Sequence, residues 1–258
     1  MLDFLAAIGR VALGFLAAIG RLVLFAGLSL GHLVRPPFYA KILVGQMVVI
    51  GYNSLPVVGL TALFTGMVLA LQAYTGFSQF GAQTAVARLV ALSVTRELGP
   101  VIAGLMVAGR VGAAIAAEIG TMRVTDQIDA LATLSTNPYK YLIAPRLLAG
   151  TLTMPLLVLV ADCIGVFGGY LVATYKFGFD PAGYLHQTVD ILTTEDVVSG
   201  LIKAAAFGFL VTLMGCYHGF NSRGGAQGVG AATTQAVVSG SILILVFDYL
   251  LTEMLFKG

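Results

Sequence analysis

The chain has 258 residues, 58% of them hydrophobic and only 10% charged, with a mean hydropathy of +0.94. A soluble domain carries roughly 25% charged residues, which excludes a water-soluble globular protein. The net charge of +2 leaves no basic surface for nucleic acid.

Residues 1–35 are apolar with sparse charge, and the heptapeptide Phe-Leu-Ala-Ala-Ile-Gly-Arg occurs at 4–10 and again at 15–21. The eleven-residue offset is close to three helical turns. At about 100° per residue, Asp3, Arg10, Arg21, His32 and Arg35 fall within an arc of about 60°. One charged stripe on an apolar helix predicts a helix lying in the membrane interface. The competing readings are a signal peptide and a first spanning helix. Arg10 and Arg21 interrupt a signal core, and no small-residue cleavage site follows. Pro36-Pro37 ends the helix, so residues 1–40 form an interfacial helix and connector, and 41–258 the membrane domain.

Five spanning segments are predicted, each near the ~20 residues a bilayer needs: about 47–71, 86–117, 146–175, 197–217 and 234–256. The second carries Arg110, the third Asp162, the fourth Lys203, and the fifth Asp248 and Glu253. Charges at such depth are costly and therefore functional candidates. Arg110 is expected to pair with Asp162 or Asp248. Gly165-x-x-x-Gly169 and the row Gly112, Ala116, Gly120 give small faces for close helix contact. The fold class is thus an all-α polytopic membrane protein.

Eight Lys and Arg residues, among them Arg21, Arg123, Arg146 and Arg223, lie in one set of connecting segments. Arg88, Arg96, Lys176 and Lys257 lie in the other. The bias places the N-terminus and the 118–146 region in the cytoplasm, and five spans put the C-terminus outside. Cys163 and Cys216 read as small buried hydrophobes. There is no CxxC, no histidine cluster and no phosphate-cradling glycine loop, so no metal site, catalytic set or nucleotidase is expected on this chain. His186 and His218 lack a ligand constellation.

Between the second and third spans runs Glu118-Ile-Gly-Thr121-Met-Arg123-Val-Thr-Asp126-Gln127-Ile-Asp129-Ala-Leu131. It reads as a short amphipathic helix, with Met122, Ile128 and Leu131 toward the bilayer and Arg123, Asp126, Gln127 and Asp129 toward water. Such a helix serves either as a coupling lever for a cytoplasmic motor or as an ordinary solvated loop helix. Spacing alone leaves both open.

Several motifs recur in order: Gly66-Met-Val-Leu69-Ala-Leu-Gln-Ala-Tyr74, Arg96-Glu97-Leu98-Gly99-Pro100, Gly109-Arg110-Val-Gly112, Ala117-Glu118 through Leu131, Asn137-Pro138, and Pro145-Arg146-Leu-Leu-Ala149. Over residues 40–256 the chain resembles the MlaE/YrbE permease family, the membrane subunits of ABC transporters that work with MCE-domain proteins. Asp126 departs from the glutamate usual there. The N-terminal repeat is not part of the pattern.

The resemblance implies a homodimer in the bacterial inner membrane. It would carry two cytoplasmic ATPases that bind ATP and Mg, each with a STAS-domain regulator, and a periplasmic MCE ring. The cargo would be phospholipid, moved between inner and outer membranes to keep outer-membrane lipid asymmetry. Glu118, Thr121, Arg123, Asp126, Gln127 and Asp129 would couple to the ATPase. Arg96 would stand near a lipid phosphate at the outer mouth, with Glu97 switching partners beside it. Leu69, Tyr74, Phe80 and Leu98 would line an acyl-chain pocket. The competing classes are an ion-coupled carrier using Arg110, Asp162, Lys203 and Asp248 as a relay, and a lipid-modifying enzyme. The carrier lacks an inverted repeat, and the enzyme lacks a nucleophile or metal set.

Overall fold

The computed structural model describes residues 2–33, 39–79 and 85–256, with the backbone alone at 2–8, 10–12, 15 and 33. Every regular element among them is helical. Helix α1 spans Leu2–Leu33, α2 Ala40–Ile50 and α3 Leu55–Ser78. Helix α4 runs Ala85–Val124, α5 Gln127–Thr133, α6 Tyr139–Tyr175 and α7 Pro181–Ile191. Helices α8, Thr194–Phe220, and α9, Gly225–Leu255, complete the bundle.

Five continuous helical stretches are long and apolar enough to cross a bilayer: α2 with α3, α4, α6, α8 and α9. All five predicted spans are present, each longer than its apolar run. Their outer faces are apolar. Leu152, Leu156 and Phe167 on α6, and Val238, Ile242, Leu245 and Tyr249 on α9, are exposed. Lys203 and Asp196 are wholly buried. Apolar side chains outside and charges inside invert the soluble pattern, as lipid requires.

Small residues set the packing. Gly66 on α3 meets Gly165 on α6 so closely that a Cβ there would stand 1.8 Å from the Gly165 carbonyl oxygen. Gly168 and Leu63 extend that seam, and Gly150 and Gly208 make a second between α6 and α8. Close backbone approach supplies dispersion contact where lipid offers no hydrophobic drive between helices.

The long helices are not uniform. Val94–Leu98 and Ala108–Gly112 in α4, and Tyr139–Ile143 at the start of α6, are π-helical turns. Each widens the helix by one residue per turn, and such turns cluster at functional positions. They hold Arg96, Glu97, Arg110 and Lys140.

Two expectations are corrected, and one further helix is added. The single helix over 118–131 is two elements. Residues 118–124 continue α4, Asp126 turns the chain in the left-handed region (φ 56°), and α5 begins at Gln127. Aspartate tolerates that conformation better than most residues. Met122, Ile128 and Leu131 pack against the bundle core rather than facing the bilayer. The connection after Lys176 contains α7, capped by the Asp180 carboxylate accepting from the Gly183 N–H at 2.6 Å.

Helix α1 is seated by one face, with Leu22, Phe25, Ala26 and Ser29 repeating at helical spacing. The Phe25 ring meets Tyr139, Tyr217 and Phe220 at centroid distances of 5.5, 5.4 and 5.9 Å. His32 lies 3.3 Å from Asn137. Arg21 is exposed, whereas the side chains of Asp3 and Arg10, and Arg35 with Pro36-Pro37, lie outside the described residues.

Candidate functional site

Two charged centres occupy opposite ends of the bundle. At the first, Lys203 projects from α8 with its side chain wholly buried. Its ammonium donates to Glu97 Oε2 at 2.6 Å and to the Arg96 carbonyl at 3.1 Å. Asp248 Oδ1 on α9 completes an ion pair at 3.1 Å, without hydrogen-bond alignment. An ammonium has three protons to place, and three oxygens surround this one. Glu97 also accepts from the Thr252 hydroxyl at 3.4 Å.

Arg96, one residue away, turns to a different partner, as adjacent helical positions must. Its Nε and Nη2 both approach Asp196 Oδ1 at 2.5 Å, and its guanidinium lies 4.5 Å from the Phe256 ring centroid. Asp196 is itself the far member of a capping box with Thr193 at the start of α8. One π-turn of α4 is thereby pinned to α8 and α9. Leaving any one buried charge without its partner is costly.

The predicted pairing of Arg110 with an acid does not occur. Its Nη1 donates to Ser54 Oγ at 2.7 Å and to the Val49 carbonyl at 3.3 Å. It thus closes the break between α2 and α3, where a cation suits the exposed carbonyls of a helix end. Asp248 goes to Lys203. Asp162, 7% exposed, has Oδ1 buried with no hydrogen-bond partner.

Of the residues expected to contact lipid, Leu69 and Tyr74 are half-buried in a cluster with Val86, Val90 and Val172, and Tyr74 stacks on Phe177 at 3.7 Å. Leu98 borders a small void with Val58 and Ala62. Phe80 lies outside the described residues. The structure thus joins Arg96 and Glu97 to Lys203 and Asp248, and places Leu69 and Tyr74 in a separate cluster.

The second centre is the corner between α4 and α6. Arg123 Nη1 donates to Asp129 Oδ1 at 2.7 Å across the left-handed turn, so the ion pair ties α4 to α5. The Arg123 guanidinium also approaches the Phe220 ring at 5.8 Å. Glu118 pairs with Arg146 at 2.7 Å. Arg146 is 3% exposed and donates to the Leu142 carbonyl at 2.6 Å. Gln127 donates to the Thr125 hydroxyl at 3.0 Å, and Thr121 donates back to Ala117. Asp126, Gln127 and Asp129 are exposed.

Arg146, Asp196 and Ser54 went unassigned on sequence. For Asp196 a signal existed: Thr193-Thr-Glu-Asp196 has the spacing of a helix-start box. Arg146 and Ser54 meet partners 28 and 56 positions away, which no local pattern encodes.

Five crossing helices with ion pairs folded inward define a multi-pass membrane protein. The model of the family described as Permease MlaE matches residues 43–254. Over 257 residues the chain is 54% identical to a probable ABC transporter permease protein of Rickettsia felis, covering all of this chain and 99% of the relative. It is 38% identical over 261 residues to the intermembrane phospholipid transport system permease protein MlaE of Haemophilus influenzae, covering 99% and 94%. To the Arabidopsis thaliana chloroplastic protein TRIGALACTOSYLDIACYLGLYCEROL 1 it is 35% identical over 208 residues, covering 81% and 59%. The chain belongs to the MlaE permease family.

Proposed function

We propose that this protein is the permease subunit of an ATP-driven transporter that moves phospholipid between the inner and outer membranes. Two copies form the transport unit. ATPase subunits, each with its STAS-domain regulator, dock on the cytoplasmic Arg123 end, and an MCE ring sits on the periplasmic Arg96 end. ATP and Mg are bound by the ATPase. Helix α1 lies along the cytoplasmic interface, and the chain's last helix ends outside. The names of the Rickettsia and Haemophilus relatives support an ABC permease in a phospholipid system.

The observation that carries the mechanism is the α4–α5 corner. It presents Thr121, Asp126, Gln127 and Asp129 to water while Ile128 is anchored in the core and Glu118 is tied to Arg146. A push on α5 therefore passes to α4 and α6 together instead of being absorbed in a loose loop. Nucleotide-driven closure of the ATPases moves these corners, the two bundles rock, and the space between them empties its lipid toward the MCE channel. The Arg96 side chain, 39% exposed despite its bond to Asp196, remains within reach of a lipid phosphate.

The test uses the reconstituted complex with the Arg123–Asp129 pair. An exposed pair contributes little to stability, so its loss reports on coupling rather than on folding. Arg123→Asp and Asp129→Arg singly should leave ATP hydrolysis running while lipid transfer falls about tenfold, equivalent to a coupling free energy of about 1.4 kcal/mol. The double exchange should restore transfer. Wild-type transfer in both single variants would overturn the coupling role.

A further inference from the structure

A cleft with a volume of about 520 Å³ lies between α6, α7 and the start of α8. Its walls include Leu159, Val166, Phe167 and Tyr170 of α6, Leu185 of α7 and Val197 of α8. That volume is within the range of ligand sites, which combine apolar walls with few polar groups. The polar group here is Asp162. It lines the cleft and is 93% buried by its 7% exposure.

The Asp162 carboxylate has no cationic neighbour among the residues lining the cleft. Its Oδ1 has no hydrogen-bond partner and abuts Gly99 so closely that a Cβ there would lie 1.8 Å away. The glycine of the Gly99-Pro100 step therefore makes room for an acid that the protein does not satisfy. A buried carboxylate in such a place is costly unless a proton or a cationic donor meets it. Two further buried hydroxyls without hydrogen-bond partners, those of Tyr184 and Thr188, lie on α7.

Depth decides what such a donor is. Thr95, which also lines the cleft, immediately precedes Arg96, and Val197 immediately follows Asp196. Asp162 thus sits level with the polar knot that starts α8. Below it, along the exposed face of α6, run Leu159, Leu156 and Leu152. A carboxylate at this level above an apolar track matches an amphiphile with a positive head and a hydrocarbon tail.

We propose that this cleft is a lateral binding site for an amine-bearing phospholipid, its ammonium donating to Asp162 and one acyl chain lying against α6. The site is on the flank of a single protomer. It rests only on the membrane-spanning fold, not on ATP coupling.

The test places a photo-crosslinking amino acid at Leu185 in the full chain, held in nanodiscs of phosphatidylethanolamine or phosphatidylglycerol with the same acyl chains. The wild-type Asp162 chain should cross-link phosphatidylethanolamine about tenfold more than phosphatidylglycerol, the ratio that one charge-assisted hydrogen bond supplies. Asp162→Asn, which keeps the shape, should bring the two lipids level while leaving total cross-linking in place. Equal cross-linking of both lipids by the wild-type chain, or a preference that survives Asp162→Asn, would overturn the proposal. The readout needs no ATPase, so either failure leaves the transport reading standing.

Discussion

Lys203 is the residue on which the outer centre turns. Its ammonium reaches both Glu97 and Asp248, and with Arg96 and Asp196 the group totals two positive and three negative charges. Lys203→Met leaves two carboxylates facing each other. We expect a loss of about 3 kcal/mol, at the low end for breaking a buried pair because Glu97 and Asp248 retain some water. Thermal unfolding in detergent measures it. Adding Glu97→Gln should recover part of the loss, and a double variant worse than Lys203→Met alone would refute the shared-partner account. Arg110 teaches a complementary lesson. Its intramembrane position marked it as costly and therefore partnered, and it is partnered, but by a hydroxyl and a carbonyl. Position in the sequence reveals that a charge must be compensated. It does not reveal whether another charge does so.

At the scale of elements, the hydrophobic runs located all five crossing helices, because lipid imposes one length and one composition on each. Their ends were harder to read. Helix α4 runs to Val124 because Glu118 is neutralised by Arg146, so a charge that appears to end an apolar run sits inside a continuing helix. Helix α7 was missed because 181–191 lacks the length of a span and its cap, Asp180, resembles any loop acid. The helix seams are sharply testable. Gly66→Ala drives a methyl into the Gly165 backbone and should cost about 3 kcal/mol, the upper end for overpacking. Gly109→Ala, with nothing within 4 Å of its Cβ, should gain a little helix propensity instead. Equal melting temperatures for the two variants would contradict the packing described. Phe25→Ala removes the aromatic anchor of α1 and should cost about 3 kcal/mol. Limited proteolysis should then cut α1 while sparing α4.

For the molecule as a whole, successive crossings put its connections on alternating faces. The α6–α7–α8 connection and the α8–α9 turn must lie on opposite sides of the membrane. With Cys163 and Cys216 replaced by Ala, Asp190→Cys should react with an impermeant maleimide from outside intact spheroplasts. Arg223→Cys should react only after permeabilisation. The reverse pattern would invert the orientation read from Lys and Arg, and labelling of both from one side would contradict five crossings. The overall architecture was legible because it depends on sums over many residues. The centres were not, because each joins side chains far apart in sequence.

The π-turns of α4 carry one more implication. A turn at Val94–Leu98 or Ala108–Gly112 accommodates one residue more than an α-helical turn of the same rise. Removing a single residue there can return the helix to regular winding without shifting the register of either flank. Insertions and deletions are ordinarily confined to loops. In this helix they have a second permitted address inside a membrane-crossing stretch, next to Arg96 and Arg110. A one-residue gap against a relative at either turn would record a change of local winding, with the rest of the helix unmoved.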